Sequence, residues 1–461
     1  MRDRITKALQ RSRADYTDIR LEREWRTQVF YRGHDLENLE SSSELGGIVR
    51  CLVDGGWGIA VFNSLDQLHQ RVEEADRIAR IVSARISEQV ELAAVEAIQD
   101  EVRVSLEKDP RSVPLQQKQA LAYKYNENLL KYSAKIVTTN TRYTDSFKEV
   151  TFANSEGSFI IEERPDVTLA LAAVARDGDN NIQIGLEHGG WSAGFEAIEG
   201  QEQKAEAAAR RALDLLQARP VKGGVYTVVL DPELAGVFIH EAFGHLCEAD
   251  FLFKNPQLQG ILSPGRQFGV EELDVVEDGY LPGWRGNFKY DDEGTPRRRT
   301  HLIKNGVLQG FLHSRETAAR MGAEPTGNAR AVSYHFEPIV RMRNTYIDRG
   351  SATFEHMLQD TPDGVYACGA FGGQTAFEQF TFSATYGYEI VNGQLGEMLR
   401  DVVLTGNVFE TLKNIDRIGN DLVIISPGSG GCGKGEQRSL PVAFGGPHIR
   451  VQNVTIGGQV A

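Results

Sequence analysis

Cysteine is scarce in this chain: four occur in 461 residues, Cys51, Cys247, Cys368 and Cys432, spread over its whole length with no CxxC pair. That excludes the disulfide framework of a small secreted scaffold and leaves any special cysteine to act alone. Long apolar runs are also missing. The longest, such as Leu169 to Ala175, fall far short of the ~20 residues of a membrane-spanning helix, and the opening MRDRITKALQRSRADY carries no apolar signal segment. Basic residues are outnumbered, 50 against 64 acidic, for a formal charge of −14, and no long basic run occurs, which argues against a nucleic-acid partner. The expectation is a cytoplasmic protein that engages neither membrane nor nucleic acid.

What is present is an ordinary globular composition, 41% hydrophobic and 25% charged, on a chain longer than one hydrophobic core supports. Two domains are expected, residues 1–220 and 221–461, divided where Pro220, Gly223 and Gly224 follow a strong Ala/Arg/Leu-rich helix over Glu202 to Leu216. In the first half, period-two alternation predicts a strand from Thr17 to Phe30, with Ile19, Leu21, Trp25 and Val29 on one face. Helical spacing predicts one long helix or two joined ones over Leu65 to Leu106, and another helix from Leu115 to about Lys135. Val150 to Ala153, Ser158 to Glu163 and Thr168 to Ala175 read as a meander, ended by RDGDNN as a hairpin turn; Ile182 stands where a calcium loop needs glycine. The second half reads as short strands between Gly, Asn and Asp: Thr300 to Lys304, Gly306 to Leu312, Val332 to Val340, Phe380 to Val391 and Leu422 to Ile425. The fold class expected is α+β: an N-terminal α/β domain with long helices and a mainly antiparallel β C-terminal domain carrying a metal-binding helix.

The chemistry concentrates after the strand pattern Val225 to Val229. Asp231 and Pro232 suit an N-cap and first helical residue, and the helix they open contains His240-Glu241-Ala-Phe-Gly-His245. Two neutral imidazoles supply two zinc ligands, and the adjacent carboxylate of Glu241 can deprotonate a water at the open position. The familiar motif spaces its histidines by four residues, which stacks them on one helical face. Five residues on an ideal helix give about 140° of rotation and roughly 7.5 Å of rise, so the rings would diverge unless a π turn brings them together. A non-ideal turn is therefore predicted at Phe243 to His245, eased by Gly244. Near the other end, Ser426-Pro-Gly-Ser-Gly-Gly-Cys432-Gly-Lys-Gly is a glycine-rich turn that holds a cysteine clear of backbone crowding, where its thiolate would serve as a third zinc ligand. Gly428 to Lys434 also satisfies GxxxxGK, but Gly435 stands where Ser or Thr should follow, and Pro441 denies the phosphate-cradling helix.

HEAFGHLCEAD, the GxCGKxxQ element around Cys432, and the phrases THLIKNGVLQGFL, PIVRMRNTYI and YEIVNGQLG resemble the TldD subunit of the TldD/TldE (PmbA) metallopeptidase family. The resemblance covers the second half; the first half matches in length and element order. It implies a zinc-type metallopeptidase with one zinc ion, or another divalent metal, held by His240, His245 and Cys432, with Glu241 catalytic. It implies unfolded or extended peptides as substrates, and a dimer with a TldE/PmbA-like partner or with itself around an internal chamber. A peptide would add as a strand to a sheet edge, for which Val332 to Val340 and Phe380 to Tyr388 are the candidates. Glu248 and Asp250 are candidates to orient a ligand imidazole, whereas His335, His448, Arg341, Asn344 and Tyr346 are read as structural. The alternatives are an HExxxH peptidase with a glutamate third ligand, Glu271 or Glu272 being nearest, and a non-catalytic assembly subunit.

Overall fold

In the computed structural model, which describes residues 1–376 and 378–457, the first 200 or so residues build one twisted sheet. Its strands are β1 (Tyr16–Arg32), β2 (Asp35–Val53), β3 (Gly56–Phe62), β4 (Gln99–Val102), β5 (Ile136–Asn154), β6 (Phe159–Asp177) and β7 (Asn181–Trp191), in the spatial order β3-β2-β1-β5-β6-β4, with β7 also on β6. Period-two patterning decides which way each strand faces. Val29, Tyr31, Tyr143, Leu169, Leu171 and Ala173 turn to one side and bury against helices α3 (Leu115–Lys131) and α4 (Glu202–Gln217). Another part of the sheet packs on α1 (Arg2–Leu9) and α2 (Leu68–Ser83), where Val72, Ala75 and Ala79 are buried.

Two sequence expectations fail here for identifiable reasons. The helix begun near Leu65 ends at Ser83, and the chain reaches β4 through turns and irregular backbone. Gln99 to Val102 pairs with Phe159 to Glu162 of β6, and that pairing outweighs helical propensity there. Conversely, Ser158 to Glu163 and Thr168 to Ala175 are one strand running through Pro165. Proline is tolerated because the outer neighbours of β6 leave a gap there: β4 pairs only as far as Glu162, and β7 pairs only from Val167 onward.

The second half is mainly antiparallel β, as expected. Asp363–Ala376, Gly224–Leu230, Ile449–Gly457, Val403–Asn407 and Gln379–Val391 are hydrogen-bonded in that order, and the last pairs back to the first, closing a ring. A second, six-stranded sheet carries Asn344–Ile347, Ala443–Gly446 and, at its edge, Val423–Ile425. Helix α5 (Pro232–Phe238) lies against both. Leu234 and Phe238 join the core with Phe380 and Phe382 of the ring, while Gly236 meets the second sheet so closely that a Cβ there would stand 2.6 Å from the Gly445 nitrogen. Val332 to Val340 is not a strand; only Ile339–Val340 pairs, and Gly306 to Leu312 contributes only Val307–Leu308.

Ion pairs join the halves. Arg285 donates to Asp166 on β6 at 2.6 and 2.7 Å and to the carbonyls of Pro427 and Gly430, which fastens the glycine-rich turn before Cys432 to the first sheet. Among the described residues no helix is long and apolar enough to cross a membrane.

Candidate metal centre

The strand Gly224–Leu230 delivers the chain to Asp231, whose side chain accepts from the Leu234 amide at 2.8 Å and starts α5 with Pro232 in its first turn. Burial and the neighbouring Glu233 push the Asp231 carboxyl up to about 7. After Phe238 the helix widens into a π turn, Ile239–Gly244, in which the His245 amide donates to the His240 carbonyl. A tight turn, His245–Cys247, then ends the helix. The extra residue does what the five-residue spacing requires: the two imidazole centroids stand 5.3 Å apart. Gly244 itself has ordinary right-handed helical dihedrals. Its glycine is needed for space, because a Cβ would lie 2.2 Å from Met342 Sδ.

Cys432 arrives from the opposite side, at the start of the short strand Cys432–Lys434. The buried Arg341 guanidinium donates to the Cys432 carbonyl at 2.5 Å and to that of Gln437 at 3.2 Å, holding both arms of the turn. One donor atom from each of His240, His245 and Cys432 lies within 4.8 Å of the others, and Cys432 Sγ is 3.3 Å from His245 Nε2. Burial alone would raise the thiol, but the two imidazoles outweigh it and hold Cys432 well below the usual range. Burial would likewise lower His245, but Glu248 and Cys432 raise it well above its ordinary value. Two imidazole nitrogens and a thiolate, sequestered and mutually stabilising, are a donor set that fits zinc.

Glu248 closes a chain of support behind this set. Its carboxylate is buried, accepts from His245 Nδ1 at 3.0 Å and pairs with Lys434 Nζ at 3.0 Å. That fixes the proton on Nδ1 and leaves Nε2 as the free donor atom facing Cys432. Asp250 accepts from the same ammonium at 2.5 Å and does not reach the histidine. Lys434, in the GxxxxGK match, is therefore committed to carboxylates and not to a phosphate.

Glu241 lies beside the donors, its Oε2 3.7 Å from His245 Nε2, and opens into a cleft of about 630 Å³ between the two halves. Glu233, Val237 and Glu241 line it at successive turns of the helix, with Phe371 and Phe444 nearby. Opposite, His188 of β7 contacts Glu233 at 3.0 Å; burial opposes its charge, but Glu233 raises it, while His188 lowers Glu233. The sequence singles out neither His188 nor Glu233, and it offers Lys434 only as the lysine of the rejected phosphate-loop match. The helical spacing of Glu233 and Glu241 was the one available signal.

The other candidates lie elsewhere. Asn344 donates to the Asp278 carbonyl, Tyr346 contacts Asp278 at 3.2 Å, and His448 sits between Asp421 and Tyr366. His335 is exposed. Glu271 and Glu272 are exposed as well, and Glu272 accepts from the Ser351 amide.

Sequence models of the PmbA/TldA metallopeptidase family match residues 17–85 (domain 1), 108–216 (central domain) and 223–458 (C-terminal domain). The chain belongs to this family. A metalloprotease of Synechocystis is 44% identical over 98% of this chain and 96% of its own length. A protein of Saccharolobus solfataricus named as a zinc metalloprotease TldD homolog is 28% identical, covering 97% of each. The crystal structure of TldE from Thermococcus kodakarensis superposes with a TM-score of 0.76 at 17% identity, over 99% of this chain and 100% of that one, so the PmbA/TldA fold is shared throughout.

Proposed function

We propose that this PmbA/TldA family member is a zinc peptidase that hydrolyses extended peptides, with His240, His245 and Cys432 holding one ion and Glu241 acting as general base. The observation that carries this reading is the convergence of three donors from two distant segments within 4.8 Å, with a carboxylate beside them at the mouth of a cleft. A bound zinc ion would lower the pKa of a water and polarise the scissile carbonyl. Glu241 takes a proton from the attacking water as its oxygen bonds to the carbonyl carbon, then delivers a proton to the amide nitrogen as the C–N bond breaks. Glu248 keeps His245 in the tautomer that presents Nε2, and Lys434 keeps Glu248 ionised.

The substrate edge differs from both sequence candidates. Val332 to Val340 forms no strand there, and Phe380 to Tyr388 has partners on both sides. Asp363–Ala376, however, pairs with Gly224–Leu230 only through Val365 to Ala367, and its continuation at Ala370, Phe371, Gly372 and Gly373 borders the cleft. A peptide added along that edge gains main-chain hydrogen bonds with little sequence preference. The likeness to TldE supports a dimer with a TldE/PmbA-like subunit or with itself, and four free cysteines suit a reducing cytoplasm. We also propose residue 220 as the boundary between two domains. Cleavage of an unstructured fluorogenic peptide, lost to a chelator and restored by zinc, tests the activity; chelator-resistant cleavage would refute it.

A further inference from the structure

The floor of the cleft is a ladder of in-register side chains on the face of the first sheet that the helices leave free. Phe30 stands opposite Arg142, Arg142 opposite Ala170, and Ala170 opposite His188, so one row crosses β1, β5, β6 and β7. The next row begins with Arg32 opposite Asn140. All six line the same cleft as Glu241. The small alanine keeps the floor low between the arginines and His188, and His188 meets the helix face that ends at Glu241.

Charge along this path is uneven. Glu187 is paired with Arg211 and Lys204, and Glu233 with His188. Arg142 and Arg32 make no ion pair among the described residues; their guanidinium carbons lie 4.7 and 5.5 Å from the centre of the Phe30 ring. In a chain of charge −14, two like charges gathered around one aromatic ring without a counterion is an arrangement that a bound anion relieves. Guanidinium is also the group best matched to a carboxylate, through paired N–H donors.

We propose that Arg32 and Arg142 form a carboxylate-binding subsite at the far end of the cleft, which anchors an acidic side chain or the terminal carboxylate of an extended peptide. This rests on the peptidase reading and adds a specificity to it. Two strand spacings from Arg142 to His188, followed by two helical turns from Glu233 to Glu241, make a path of roughly 20 Å from the subsite to the catalytic carboxylate, so about six extended residues or fewer separate them. Main-chain pairing then holds the peptide, and the arginines select for a negative charge at a set distance from the scissile bond.

The test uses full-length, zinc-loaded Glu241→Gln protein, which holds peptide without cutting it, and fluorescence anisotropy with labelled, unstructured twelve-residue peptides. Each Glu in turn is replaced by Gln, and the C-terminus is compared free and amidated. The proposal expects one carboxylate to strengthen binding about tenfold, with the advantage shrinking at high salt. A scan effect assigns a side chain, and an amidation effect assigns the terminus. In the Arg32→Gln/Arg142→Gln double variant the ratio of acidic to neutral affinity falls to near one, and in Arg142→Glu a lysine at that position becomes preferred. Peptides that bind with no preference for a carboxylate, or a preference that survives the double variant, would overturn the subsite. Wild-type protein that cuts neither acidic nor neutral peptides would instead count against the peptidase reading.

Discussion

Cys432 Sγ stands 3.3 Å from His245 Nε2, although 187 residues separate the two in the chain. The contact joins a π turn at the end of α5 to a glycine-rich turn fastened by Arg341 and Arg285. Each of those supports is a place where the centre can be weakened without touching a donor atom.

Glu248→Gln removes the charge that holds His245 in one tautomer and leaves Lys434 with Asp250 as its one carboxylate partner beside the Val340 carbonyl. Zinc affinity should fall 10–100-fold, as is usual when the partner of a ligand histidine is lost. Competition against a chromophoric chelator measures it, and unchanged affinity would mean that Glu248 does not orient the ring.

Gly244→Ala places a methyl against Met342 Sδ in a fully buried setting. The expected cost is about 1–3 kcal/mol of stability together with weaker zinc binding. Adding Met342→Ala should recover part of the zinc affinity, which a titration of the double variant reads directly.

Arg285→Ala strips Asp166 of its partner and frees the carbonyls of Pro427 and Gly430. Losing one member of a largely buried pair is expected to cost on the order of 3 kcal/mol. Hydrogen exchange should quicken selectively in 426–434, whereas a uniform change over the chain would contradict a local role.

His313 is buried beside Thr317, and burial pushes it down to about 4 from an ordinary 6.5. The unfolded chain therefore takes up a proton below pH 6.5 that the folded chain refuses until about 4. Stability falls as pH drops across that window and is unaffected by this group above it, with a maximum loss of about 3 kcal/mol. Denaturant melts from pH 7.5 to 4.5 should show a shallower decline in His313→Gln.

Local features were the most legible in the sequence. The Asp231-Pro232 helix start and the need for a π turn both follow from residue types and spacing, because each depends on neighbours within a turn or two. For the same reason the sequence ties Gly244 to the distorted turn, whereas its constraint comes from Met342, 98 positions away, and not from its own backbone. Val332 to Val340 alternates like a strand yet finds no partner beyond Ile339–Val340. The pairings of Lys434 and His188 are not legible in the sequence, since their partners Glu248 and Glu233 lie far off in the chain and meet them only in the fold.

The most direct test of the metal centre is zinc content by plasma mass spectrometry on wild type, Glu241→Gln and Cys432→Ala, with hydrolysis of an unstructured peptide followed in parallel. The account predicts near-unit zinc in wild type and in Glu241→Gln, little in Cys432→Ala, and hydrolysis reduced at least 100-fold in both variants. Zinc retained in full without Cys432, or activity retained without Glu241, would contradict it.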